Sequence, residues 1–228
     1  MATSYNLNFM SQLVFKFPFK TKYYEQDYYV SDNNFSVYRL IESWPNWSEK
    51  WVNIYGPTGC GKTHLSNILK KKINSTLILD AKDIGNDTIS KFEKFECLII
   101  ENYKKNIEEK LFYSILNQSK QKDNFIVINS ILPITDINFE LIDLESRTKS
   151  FLNLGIELPT DDLLRVIISK SFSDKQVEVT PKISEYIIKN IDRSYEKVFK
   201  FIKEIDDLSL SSGKSININL IKKVLINE

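Results

Sequence analysis

One stretch limits the folds open to this chain more than any other. Residues 56–63 read "GPTGCGKT", the pattern G-x-x-x-x-G-K-[ST], after the apolar run "WVNIY" (51–55) and before a helical segment. A strand, a glycine-rich turn and a helix N-terminus in that order make a phosphate cradle. The glycines let backbone N–H groups turn inward around phosphate oxygens, and the helix dipole adds to the anion field. On this reading Gly56, Pro57, Thr58, Gly59, Cys60 and Gly61 line the cradle. Lys62 brings a point charge to the outer phosphates and Thr63 offers a hydroxyl to Mg2+. His64 is counted with these cofactor-side residues, although packing in the first helical turn is its plainer role.

Around the cradle, short apolar runs alternate with helical stretches, as in an α/β parallel sheet. The strand candidates are "WVNIY" (51–55), "TLILD" (76–80), "CLII" (97–100), "FIVIN" (125–129) and "FLNLGI" (151–156). Their near-continuous apolar character suits strands covered on both faces. The segment 106–120 reads as a helix with Ile107, Leu111, Ile115 and Gln118 on one stripe. After residue 157 the strands stop. Thr160 and Thr180-Pro181 read as helix starts, and Val198, Phe199, Ile202 and Ile205 are expected on one face of a helix with Gly213 just past its end. The chain is therefore read as a tail (1–20), an α/β core (21–156) and a helical lid (157–228).

Composition narrows the function. With 31 Lys and Arg against 30 Asp and Glu the net charge is +1, so no overall pull toward nucleic acid or a membrane exists, and strong direct DNA binding is not expected. The run Lys70-Lys71-Lys72 reads as a solvated helix end. Cys60 and Cys97 form no Cys-x-x-Cys pair, and one histidine cannot complete a zinc site with them. The first twenty residues lack a basic region followed by an apolar one, and no apolar stretch has bilayer-spanning length. A cytoplasmic protein with no membrane partner is expected.

A second constellation sits at "CLIIENY" (97–103). Strand carboxyl ends are where such sheets bind ligands, and there Glu101 and Asn102 stand. Glu101 can approach Mg2+. Asn102 can orient water but cannot take its proton at neutral pH. Nucleotide binding with little intrinsic hydrolysis is the chemical expectation.

The stretch "YYVSDNNFSVYRLIESWPNWSEKWVNIYGPTGCGKTHLSNIL", with Glu101-Asn102 in the Walker B place, "IVINS", "DLESR" and a trailing helical lid, resembles the nucleotide-binding core of the DnaA-type replication initiators, which are AAA+ ATPases. The resemblance implies an AAA+ P-loop NTPase core, a five-stranded parallel sheet flanked by helices, with a small C-terminal all-α lid. It implies ADP or ATP with Mg2+ on Thr63 and Glu101, Asn129 as the sensor 1 residue, and Arg147 as an arginine finger, catalytic together with Glu101 and Asn102. In the lid, Glu196 stands where a sensor 2 arginine is expected; Lys197, or Arg193 one turn earlier on the same face, could serve instead. Tyr28, Tyr29 and "VSDNN" hold the adenine-side position.

A DnaA-type initiator continues into a helix-turn-helix domain; here the chain is expected to end with the lid, and that short form resembles the Hda-type regulatory inactivators of DnaA. That branch implies two partners, the DnaA initiator and the DNA polymerase III sliding clamp, and admits homo-oligomers. Clamp-binding peptides of the branch resemble "QLVFKF" (12–17), where Gln12 offers an amide and Leu13, Phe15 and Phe17 alternate onto one face of an extended segment. The implied function is negative regulation of replication initiation. The alternative is an autonomous helicase-loader-like ATPase that remodels a partner with its own hydrolysis.

Overall fold

Apolar runs leave backbone N–H and C=O groups that need partners, and pairing into a sheet supplies them. The computed structural model describes residues 25–174, 177, 179–212 and 216–226. In chain order the elements are α1 (Phe35–Glu42), β1 (Trp51–Tyr55), α2 (Lys62–Lys72), β2 (Thr76–Asp80), α3 (Asp87–Phe92), β3 (Cys97–Tyr103), α4 (Glu109–Lys122), β4 (Phe125–Ser130), α5 (Ile142–Thr148) and β5 (Leu152–Gly155). Helices α6 (Asp161–Ser173), α7 (Pro181–Asn190), α8 (Tyr195–Ser212) and α9 (Ile218–Ile226) follow. The chain divides into two compact units between Thr160 and Asp161.

In the first unit the strands lie in the order β2-β3-β4-β1-β5, all parallel. The expected five-stranded parallel sheet flanked by helices is present. One face packs Leu98, Ile100, Ile126 and Ile128 against Phe112, Ile115 and Leu116 of α4. Strand β3 differs from expectation. It runs on to Tyr103, with Glu101 and Asn102 inside it and a register irregularity between Ile100 and Tyr103. The cause is local: Asn102 has φ 57, a left-handed conformation that asparagine tolerates better than most residues. Among the described residues, no helix is long and apolar enough to cross a membrane.

Two polar contacts hold this unit in register. Asn53 is fully buried in the middle of β1. Its Nδ2 donates to the Ile128 carbonyl at 2.9 Å and Ser130 Oγ at 2.8 Å, and its Oδ1 accepts the Ile134 N–H at 2.8 Å. At the start of α4 the Glu109 carboxylate accepts backbone N–H groups of Glu140 and Leu141, the latter at 2.7 Å. Glu109 thus ties α4 to the entry of α5.

The second unit buries Ile168, Phe172, Ile187, Val198, Phe201, Ile202 and Ile205 in a core of its own. Phe199 is a correction to the sequence reading: it is 44% exposed, and Phe201 is buried instead. Val198, Phe201, Ile202 and Ile205 follow the i, i+3, i+4, i+7 spacing of one helix face, and Phe199 falls about 100° away from Val198. Thr180 precedes α7 with extended backbone and Pro181 in its first turn, as expected. The expected stop at Gly213 lies outside the described residues.

Two outcomes follow. Asn53→Leu leaves the buried Ile134 N–H unpaired and lowers stability by about 1–3 kcal/mol in urea unfolding. The Glu109 carboxyl is held below its ordinary value, chiefly by the Leu141 N–H, so its contribution exists above the unfolded pKa and disappears as pH falls through the folded one. The stability difference between wild type and Glu109→Gln is therefore expected at neutral pH and to vanish on acidification through the carboxylate range.

Candidate nucleotide-binding site

The loop after β1 takes a shape that side chains would obstruct. A Cβ on Gly56 would lie 2.6 Å from the Ile156 carbonyl oxygen, and one on Gly61, at φ +99, would lie 3.0 Å from the Tyr28 ring. Gly61 is the N-cap of α2, so the free N–H groups of that helix open toward the loop. Lys62 Nζ donates to the Gly56 and Pro57 carbonyls at 2.7 and 2.9 Å. Its charge is thereby held inside the turn, among Gly56, Pro57 and Cys60. Thr58 and Gly59 form the exposed tip. Burial pushes the Cys60 thiol up, only partly opposed by Lys62; it is a packing residue. His64 meets the edge of Tyr28, with ring centroids 5.4 Å apart, and Tyr28 stacks on Tyr38 at 5.8 Å.

Beside the loop, Glu101 is 8% exposed. Thr63 Oγ1 donates to its Oε2 at 2.9 Å, and Asn129 Nδ2 donates to its Oε1 at 3.0 Å. The same Asn129 amide reaches Ser66 Oγ at 2.8 Å. Thus α2, β3 and β4 bring Thr63, Glu101 and Asn129 together, with Ser66 a member that sequence reasoning did not single out. Asn129 Oδ1 is buried without a hydrogen-bond partner among the described residues, an acceptor left over for a ligand's hydration shell. All these donors are oxygens, the ligand type Mg2+ selects. Thr63 and Glu101 would hold such an ion, which would neutralise phosphate charge. Among the described residues no group of three or more His, Cys, Asp or Glu could hold a metal, so phosphate oxygens would have to complete its shell.

Asn102 points elsewhere. Its Nδ2 donates to Asp80 Oδ2 at 2.7 Å, and that bond, with the Lys82 N–H, holds the Asp80 carboxyl below its ordinary value. Asp80 closes the expected run "TLILD", and its position at a strand's carboxyl end was the signal available in the sequence. The segment before α1, expected from the sequence on the adenine side, is fastened to the exit of β5. Asn33 Nδ2 donates to the Glu157 and Leu158 carbonyls, and the Glu157 N–H donates back to the Asn33 carbonyl at 3.1 Å.

Arg147 lies in the last turn of α5, with its guanidinium 5.1 Å from the Tyr113 ring centre. It lines a cavity of about 490 Å3 with Lys50, Trp51, Tyr113 and Asn124. Lys50 and Asn124 immediately precede β1 and β4, so this cavity is at the amino edge of the sheet. The phosphate loop leaves its carboxyl edge, roughly 13–17 Å away along a five-residue strand. The structure therefore does not bring Arg147 to the loop of its own chain. Hydrogen bonding to Asn117, and then to Arg147, moves the Tyr113 hydroxyl below its ordinary value.

In the helical unit Arg193 bonds Asp161 at 3.0 Å and Lys197 pairs with Asp192. Arg193 precedes α8, so the expected shared helix face with Lys197 is not formed; the helix begins only at Tyr195. The candidate partner-binding residues Gln12, Leu13, Phe15 and Phe17 lie outside the described residues.

No protein-family model matches the chain. Among curated proteins it is 25% identical over 215 residues to the chromosomal replication initiator protein DnaA of Buchnera aphidicola subsp. Cinara cedri, covering 84% of this chain and 48% of that protein. The chain spans about half the length of the curated relatives it matches. Among solved structures, domain III of the Thermotoga maritima replication initiation protein DnaA superposes with a TM-score of 0.75 at 18% identity, covering 92% of this chain and 98% of that one. AMPPCP-bound DnaA from Aquifex aeolicus gives 0.65 at 18% identity, covering 82% and 66%. With its parallel sheet and glycine-rich loop, the chain has the AAA+ P-loop fold and is homologous to the AAA+ domain of DnaA.

Proposed function

We propose that this chain is an adenine-nucleotide-binding regulator of replication initiation that lends Arg147 to ATP held by a DnaA initiator. One observation carries the reading: Arg147 stands at the opposite edge of the sheet from its own phosphate loop. A cation in that place serves a neighbouring subunit's phosphates better than its own. Asn102, bonded to Asp80 and unable to accept a proton, supports the same division of labour. Adenine as the base is favoured by the AMPPCP found in the similar DnaA structure. Lys62 and the loop N–H groups would hold the phosphates, with Thr63 and Glu101 at a magnesium ion and Asn129 steadying Glu101. The segment 12–17 is proposed to dock on the sliding clamp and so to place the chain near replicating DNA.

A guanidinium supplied in trans accelerates hydrolysis by about 10³–10⁵. With clamp on DNA and ATP-loaded DnaA, wild type is expected to stimulate hydrolysis and Arg147→Ala to lose that effect on the order of 10³-fold. Gln12→Ala with Phe17→Ala is expected to lose clamp capture while the fold stays intact. Equal stimulation by wild type and Arg147→Ala removes the finger. Rapid ATP turnover by the chain alone, abolished in Lys62→Ala, would establish the autonomous ATPase instead.

A further inference from the structure

Surface cations commonly settle on a nearby acid, and Arg147 does not. Of the four arginines, Arg165 bonds Asp162 at 2.7 Å and Arg193 bonds Asp161 at 3.0 Å, while Arg39 lies over Phe35 of its own helix. Lys149, two residues beyond Arg147, pairs with Glu145, and Lys50 in the same cavity pairs with Asp123. Asp143 stands one turn before Arg147 on α5 and also lines the cavity. Even so, among the described residues no carboxylate lies within 4.0 Å of the Arg147 guanidinium. The guanidinium goes to an aromatic ring instead, 5.1 Å from the centre of Tyr113.

That ring is a firm platform. Tyr113 follows the fully buried Phe112 on α4, and its own side chain packs, partly buried, against the same core. Asn117, four residues further along α4, hydrogen-bonds the Tyr113 hydroxyl, which Arg147 also reaches. A guanidinium is planar and carries its N–H groups in that plane. Held by a carboxylate, it would commit them to a bidentate contact that an incoming anion must first break. A ring attracts the cation through its π face. The N–H groups not given to the Tyr113 hydroxyl then stay open to an anion from outside.

We propose that Tyr113 is the positioning residue for Arg147, its ring holding the guanidinium in place with N–H groups left for the phosphate oxygens of a neighbouring protein's nucleotide. This deepens the function proposed above and rests on it. Tyr113 touches neither nucleotide nor partner chemistry and acts only through the arginine. The ring serves where an acid would not, because it fixes the cation without neutralising it.

The test is hydrolysis in ATP-loaded DnaA, with clamp on DNA, over a concentration series of the full chain as wild type, Y113F, Y113L, R147A and Y113L/R147A. Tyr113→Leu keeps an apolar side chain against the core and removes the π face. It is expected to lower maximal stimulation by about 10²-fold, the cost of a misplacement of about 1 Å at a reacting centre, with the half-saturating concentration unchanged. Tyr113→Phe keeps the ring and is expected to retain most of the stimulation. The double variant is expected to match R147A. Independently of how Y113L or Y113F folds, the wild-type Arg147 Nε–H resonance, identified by its absence from R147A, is displaced by the ring current. Absence of that displacement overturns the inference. So does loss of stimulation in Y113F equal to that in Y113L, since the ring is then not the carrier. A Y113L chain with full stimulation, or with only a raised half-saturating concentration, overturns it too; a loss in R147A then leaves the finger reading standing. Full stimulation by R147A overturns both.

Discussion

The buried carboxylate of Glu101 is the constraint around which the first unit is organised. A charge removed from water is tolerable only with donors supplied to it, and Thr63 from α2 and Asn129 from β4 supply them. That requirement fixes the helix after the loop against two central strands. It also fixes the edge at which a phosphate-bound ion would be held. Lys62 depends on the same scaffold, since the loop carbonyls it grips are positioned by the turn that Gly56 and Gly61 permit.

A parallel sheet has two dissimilar ends, and this chain places different chemistry at each. Strand carboxyl ends carry the loop, Glu101, Asn102 and Asp80. Strand amino ends carry Arg147, laid over Tyr113 in the last turn of a seven-residue helix whose entry is tied down by Glu109. Because all strands run the same way, the two ends cannot approach each other without dismantling the ladder. The separation belongs to the topology and does not depend on side-chain rotamers.

Much of the fold was legible because fully covered strands are apolar on both faces and the glycine-rich turn marks where one of them ends. The polar contacts were not legible. Asn53 looks like an interruption of "WVNIY", yet it joins β1 to β4 and to the Ile134 N–H. Glu109 looks like an ordinary acid in a helix's first turn, and only the folded chain shows it receiving the N–H groups of α5's entry. Phe199 and Phe201 are two residues apart, and the helix period alone sends one outward. Asp80 was hidden inside a run read as strand, since its partner comes from a left-handed residue 22 positions later. Each contact joins residues distant in sequence, or depends on one dihedral angle that no periodicity encodes.

The placement of the tryptophans has an optical consequence. All three belong to the amino edge: Trp44 and Trp47 flank Phe125 at the start of β4, and Trp51 opens β1 with its indole N–H on Ser119. Intrinsic emission from this chain therefore watches the arginine's side of the molecule and is nearly blind to the opposite rim, so an unlabelled fluorescence change on mixing with another protein identifies which end has been covered.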